Sequence, residues 1–219
     1  MKWSSEMIAV HMSKRIAQPN HLHLKSGAAD PYLGADQEWY TQLWQRKAGC
    51  GPTTASNLVA YNANVHPSLG LQPIRAKEEM LTLMEAMWTY ITPGIMGVHL
   101  VSQFKRGLER FLAEHKLPVS VASLALAKDQ KQRAGLDDVK AFLLSSLSDD
   151  QPVAFLNLSS GEVSNLDPWH WVTIVGLQQD REEGPLLVEV YDAGRLWLID
   201  LTTWYHTTTR SAGFARLVV

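Results

Sequence analysis

One cysteine, Cys50, stands in the segment KAGCGPTTASNLVAYN, flanked by Gly49 and Gly51 and followed by Pro52. A thiol is a useful nucleophile only as the thiolate. Free cysteine has a pKa of about 8.5, which falls to roughly 3.5–7.5 at a helix N-terminus or beside an imidazolium. The segment supplies a helix start. Pro52 suits a first turn, where its missing N–H is no loss. Ala55, Leu58, Val59 and Asn62 share one helical face, so a helix is predicted from about Cys50 or Gly51 to about Ala63. Its first turn presents unpaired N–H groups and a partial positive charge. The amide of Cys50 would then face an oxyanion on an attacked carbonyl. Gly49 and Gly51 are expected to let a substrate backbone come close.

Such a thiol needs a base. Of eight histidines, His170 is set apart by lying inside the apolar run WHWVTIVG, between Trp169 and Trp171. Strand alternation puts His170, Val172, Ile174 and Gly176 on one face. A third group usually orients the base. Asp192 closes the next run, LLVEVYDAG, and a hairpin turning near Asp180 to Pro185 would return it to the edge where His170 sits.

GCGPTTASN, then WHWVTIVG, then VYDAG, in that order, resemble the papain-like cysteine peptidases of the C39-like group over roughly residues 40 to 200. The resemblance implies Cys50 as nucleophile, His170 as general base and Asp192 as the residue orienting the imidazole. It also implies a glutamine ahead of the cysteine whose amide donates to the oxyanion. Gln45, five positions before Cys50, is preferred for that role over Gln42, eight positions before it. The usual spacing is one residue longer than that of Gln45.

The elements that must position these groups divide into helices followed by strands. Met80, Leu83, Met84, Met87, Trp88 and Ile91 form one helical stripe. Val101, Phe104, Leu108, Phe111 and Leu112 form a second, and Leu136, Val139, Phe142, Leu143 and Leu147 a third. PVAFLNLS, WHWVTIVGLQ, LLVEVYDAG, RLWLIDL and GFARLVV are short, β-branched or aromatic, and separated by turn residues. Close spacing predicts hairpins and an antiparallel sheet. The expectation is an α+β, papain-like fold in one domain over 1–219. An irregular arm would occupy 1–35, a helical lobe 36–148 and a sheet lobe 149–219.

The 219 residues are enough for one sizeable core. Hydrophobic residues make up 46% and charged residues 19%, which excludes a disordered chain. A net charge of -2 points to neither nucleic acid nor an acidic membrane as partner. No apolar run has signal-peptide or membrane-span length, so a cytoplasmic protein with a reduced thiol is expected. One cysteine excludes an intramolecular disulfide and a multi-cysteine zinc site, and no cofactor or metal is called for. His21 and His23 lie two apart with no third ligand nearby, a spacing that chance accounts for.

The ordinary readings compete. A lone helical cysteine is usually a small buried hydrophobe, a strand histidine a satisfied core residue, and an aspartate before Ala193-Gly194 a turn residue. Trp39, Trp44, Trp169 and Trp171 flank the site and either line a groove or pack an interior. The expected activity is a cysteine-dependent peptidase or amidase with a peptide or amide substrate. The alternatives are acyl transfer to an amine, as in transglutaminase-like enzymes, and a non-catalytic binding module that retains the cleft.

Overall fold

The computed structural model describes residues 12–25, 27, 30–181 and 183–219. The described residues open with β1 (Met12–Arg15), β2 (His23–Leu24) and β3 (Tyr32–Leu33). Four helices follow: α1 (Leu43–Ala48), α2 (Cys50–Val65), α3 (Lys77–Tyr90) and α4 (Val101–Glu114). After β4 (Ser120–Leu126) and α5 (Leu136–Ser148) come β5 (Val153–Asn157), β6 (His170–Gln179), β7 (Leu187–Asp192) and β8 (Arg195–Asp200). The chain ends with α6 (Leu201–Thr207) and β9 (Ala212–Val218). Among the described residues no helix is long and apolar enough to cross a membrane.

An antiparallel seven-stranded sheet runs β4-β9-β5-β6-β7-β8, with β1 also paired to β6. β6 is long enough to serve two partners along one edge. Residues 170–174 pair with β5 and residues 176–179 with β1, while β7 takes the other edge. The sheet is covered on both faces, which is why β6 reads as a nearly unbroken apolar run rather than an alternating one. Phe155, Val172, Ile174 and Phe214 pack with Trp204 of α6 and with Val139, Leu143 and Leu147 of α5. Their strand neighbours Ala154, Leu156, Trp171 and Ala215 pack with Ala55, Leu58 and Val59 of α2 and with Phe104 and Leu108 of α4.

α2 is buried from Cys50 to Asn64, so it is the central helix of the fold. A helix apolar on one stripe only would not sit there. Its three asparagines, Asn57, Asn62 and Asn64, are admitted because each is hydrogen-bonded to a segment outside the helix. Asn62 exchanges hydrogen bonds with Gln151 just before β5, at 2.9 and 3.0 Å. Asn64 holds the backbone at His21 and Ile74.

Three expectations are corrected. Residues 120–126, placed in the helical lobe, form β4, which pairs with β9 over its whole length. Ser120, Ala122, Ser123 and Ala125 fall on both faces and carry little hydrophobic signal, so the period of two is muted. Residues 201–207, placed among the strands, form α6. Asp200 starts it by accepting the Thr203 N–H at 2.8 Å. The arm is not irregular where it is described, since β1 joins the main sheet and β2 pairs with β3. Residues 1–11, 26, 28 and 29 of the arm lie outside the described residues.

Candidate active site

The predicted helix start is where the sequence placed it. Cys50 is the first residue of α2 and only 9% exposed. Both flanking glycines serve packing within the protein, a correction to their expected role towards substrate. A Cβ at Gly49 would overlap the Gln45 carbonyl oxygen and the Tyr40 ring. A Cβ at Gly51 would meet Val98 Cγ2 at 3.0 Å. These contacts fix the height of the thiol against α1 and against the loop between α3 and α4.

His170 is the first residue of β6, paired with Asn157 of β5. Asn157 is fully buried. Its Nδ2 donates to the Asp167 carbonyl at 2.7 Å, and its Oδ1 accepts the Trp204 indole N–H at 2.8 Å. The connection that delivers His170 is therefore tied off on both sides of Asn157. Trp169, one residue earlier, has φ of +59°. A bulky residue rarely adopts this region, and local strain of that kind gathers at functional sites.

β7 carries Asp192 to the same end of the sheet. Ala193 and Gly194 both have positive φ and turn the chain directly into β8, with Asp192 paired to Arg195. The register Thr173↔Tyr191, continued by one residue, sets Asp192 beside Val172 rather than opposite His170. The side chains close that diagonal. His170 Nε2 lies 2.8 Å from Asp192 Oδ1.

The other ring nitrogen is thereby left free of Asp192, and Cys50 lines the same cleft as His170. Burial on its own would lower the imidazole pKa. The hydrogen bond to Asp192, together with the influence of Cys50 nearby, outweighs burial and raises it to about 10. An imidazolium held there shares the cleft with Cys50.

Sequence reasoning missed the wall that closes the cleft opposite α2. Ala35, Asp36, Gln37 and Glu38 line a depression of about 160 Å³ together with Cys50, His170 and Asp192. Asn57, two turns along from Cys50, holds this wall. Its Nδ2 donates to Thr173 Oγ1 and its Oδ1 accepts the Ala35 N–H, both at 2.9 Å. The Leu33 N–H donates to the Gly194 carbonyl at 2.9 Å, and the Tyr32 ring lies where a Cβ at residue 194 would be. The available signal was an asparagine on the mostly apolar face of a predicted core helix, where an amide must have buried partners.

Gln45 is not brought into the cleft. It is buried in α1 and its amide donates to Glu85 Oε2 at 2.5 Å, on the α3 side. Gln42 is exposed at the N-terminus of α1. The tryptophans divide. Trp171 is buried, stacked on Phe104 with ring centroids 4.2 Å apart, and Trp39 packs edge-on to Tyr32. Trp44 and Trp169 are exposed and border Cys50. His23 Nε2 lies 3.3 Å from the Tyr191 hydroxyl, and among the described residues no three His, Cys, Asp or Glu side chains gather into a metal-binding group.

A helix that begins at Cys50, packed on an antiparallel sheet whose strand ends carry His170 and Asp192, makes a mixed α+β fold that fits the papain-like arrangement. UfSP from C. elegans, a structure of that fold, superimposes on 96% of this chain with a TM-score of 0.53 at 10% sequence identity. The chain spans 35% of that protein's length, and the likeness is one of fold. No family model and no curated protein matches the sequence.

Proposed function

We propose that this protein is a cysteine-dependent hydrolase, a peptidase or amidase, with Cys50 as nucleophile, His170 as general base and Asp192 as the residue that orients the imidazole. The observation that carries the reading is the 2.8 Å hydrogen bond between His170 and Asp192 on the lining of the cleft that Cys50 also lines. His170 takes the thiol proton, and the sulfur attacks the substrate carbonyl. The C–N bond breaks as His170 returns the proton to the leaving amine. Water, deprotonated in turn by His170, then releases the acid from the thioester. The backbone N–H of Cys50 is the oxyanion donor in this reading, since Gln45 could serve only by leaving Glu85. The order of the three motifs supports a C39-like relationship within the papain-like class.

A thiol-directed activity probe tests the proposal. It is expected to label the native protein at Cys50 near neutral pH and to fail on a folded His170→Ala variant. A folded wild-type protein that resists labelling would overturn the reading. Product analysis with and without added amine separates hydrolysis from acyl transfer, and turnover that requires the amine would reassign the second step.

A further inference from the structure

Cys50 is shared by two depressions of opposite character. The one beneath the 35–38 wall is lined by carboxylates, among them Asp36, Asp167 and Asp192. The other, of about 260 Å³, is bordered by Trp44, Lys47, Ile95, Met96, Leu158 and Trp169. Four of these are large apolar side chains left in solvent: Ile95 is 99% exposed, Met96 55%, Trp44 48% and Trp169 40%. An exposed apolar cluster of this kind marks a binding surface.

Ile95 and Met96 sit at the apex of a tight turn closed by the Gly97 N–H on the Gly94 carbonyl at 2.9 Å. Turn apices ordinarily carry Gly, Asn, Asp or Ser, and a side chain as exposed as Ile95 contributes nothing to the core. The turn is held in place. Trp171 Nε1 donates to the Val98 carbonyl at 2.6 Å, and Val98 packs on Gly51 beside the thiol. On the other side the positive φ of Trp169 carries its indole to the rim, with the Arg210 guanidinium 5.1 Å from the ring centroid.

The geometry points to a specificity subsite that takes one bulky apolar or aromatic side chain of a peptide, on a residue flanking the bond that Cys50 attacks. This rests on the reading of Cys50 as the nucleophile. The pocket is smaller than the roughly 300–1,000 Å³ cavities that enclose drug-sized ligands, so it fits a single side chain rather than a long acyl chain. The carboxylate-lined depression on the far side of Cys50 gives the cleft a polarity, so the apolar residue is preferred on one side of the scissile bond only.

A mixed-sequence peptide library, with cleavage sites read by mass spectrometry, tests this. Phe, Trp, Leu, Ile or Met is expected at one fixed position beside the cut bond. Ile95→Asp and Met96→Ser should each lower kcat/KM for the best peptide by about 10-fold or more, mainly through KM. Iodoacetamide should still label Cys50 in both variants, reporting an intact thiol. Cleavage without side-chain preference, or kcat/KM unchanged in both variants, overturns the subsite while leaving the hydrolase reading standing. Preferential turnover of long-chain acyl p-nitrophenyl esters over every peptide overturns the peptide assignment. A wild-type thiol that is neither labelled nor active removes the nucleophile and this subsite with it.

Discussion

His170 Nε2 and Asp192 Oδ1 meet at 2.8 Å across neighbouring strands whose register sets the two residues out of line. The contact is made by side chains reaching diagonally from the open ends of β6 and β7, not by direct cross-strand pairing. Against the lowering effect of burial, this contact and the nearby Cys50 raise the imidazole pKa to about 10.

Asp192→Asn should therefore act on the imidazole before it acts on the fold. The amide keeps the shape but supplies no negative charge. His170 is expected to titrate closer to its ordinary value, and kcat to fall by about 10²–10⁴-fold, the usual contribution of a positioned acid–base group. NMR titration of the His170 ring and steady-state kinetics measure the two effects. A ring that still titrates near its wild-type value in the variant would show that Asp192 is not what holds the proton.

Stability should depend on pH in a defined direction. The folded-state pKa of His170 is raised from 6.5 to about 10, so the folded state binds its proton more tightly than the unfolded chain does. The contribution is fully present below about pH 6.5 and is lost as pH rises from there through about 10. Urea unfolding across this window should show wild type losing stability with a steeper slope than Asp192→Asn. Parallel slopes would contradict the assignment.

Asn57→Ala should detach the 35–38 wall. It removes both partners of one side chain, leaving the buried Ala35 N–H and the Thr173 hydroxyl uncompensated. Unfolding is expected to become easier by about 1–3 kcal/mol. Hydrogen exchange should speed up at Ala35, because its amide has lost its acceptor. Unchanged exchange there would mean the wall is held by other contacts.

Gly194→Ala tests the hairpin that presents Asp192. Residue 194 has φ of +72°, and a Cβ there would overlap the Tyr32 ring. A non-glycine residue in the left-handed region costs about 1–2 kcal/mol, and the displaced ring adds to it. Denaturant melts should show a loss of at least about 1 kcal/mol, with kcat/KM falling as Asp192 shifts. Tyr32→Ala combined with Gly194→Ala should recover part of the stability, and no recovery would place the damage elsewhere.

Trp204→Phe should loosen the approach to His170 from behind. The indole N–H reaches Asn157 Oδ1 at 2.8 Å and the Ser159 carbonyl at 3.0 Å, and a phenyl ring supplies neither hydrogen bond. A loss of about 1–3 kcal/mol is expected in urea unfolding. A neutral result would mean that Asn157 finds another donor.

The sequence alone determined the helix that begins at Cys50, the strand that begins at His170 and the strand that ends at Asp192. Each follows from local causes: a proline in a first turn, an apolar run bounded by turn residues, and Ala193-Gly194 reversing the chain. The order of the three groups needed no tertiary information, because a hairpin returns its ends to one edge. What the tertiary structure alone decided were choices among distant partners. Gln45 lies one helix before the thiol, yet its amide goes to Glu85, because α3 packs close enough to claim it. Residues 35–38 form a wall of the cleft because Asn57 captures Ala35, and Gly194 captures Leu33 just ahead of it, from elsewhere in the chain. Trp171 is buried and Trp169 exposed although only His170 separates them. β6 buries the first against Phe104, while the positive φ of the second turns it outward. Local periodicity selects helices and strands, but a side chain's partner depends on which elements pack beside it, and that is settled only when the core assembles.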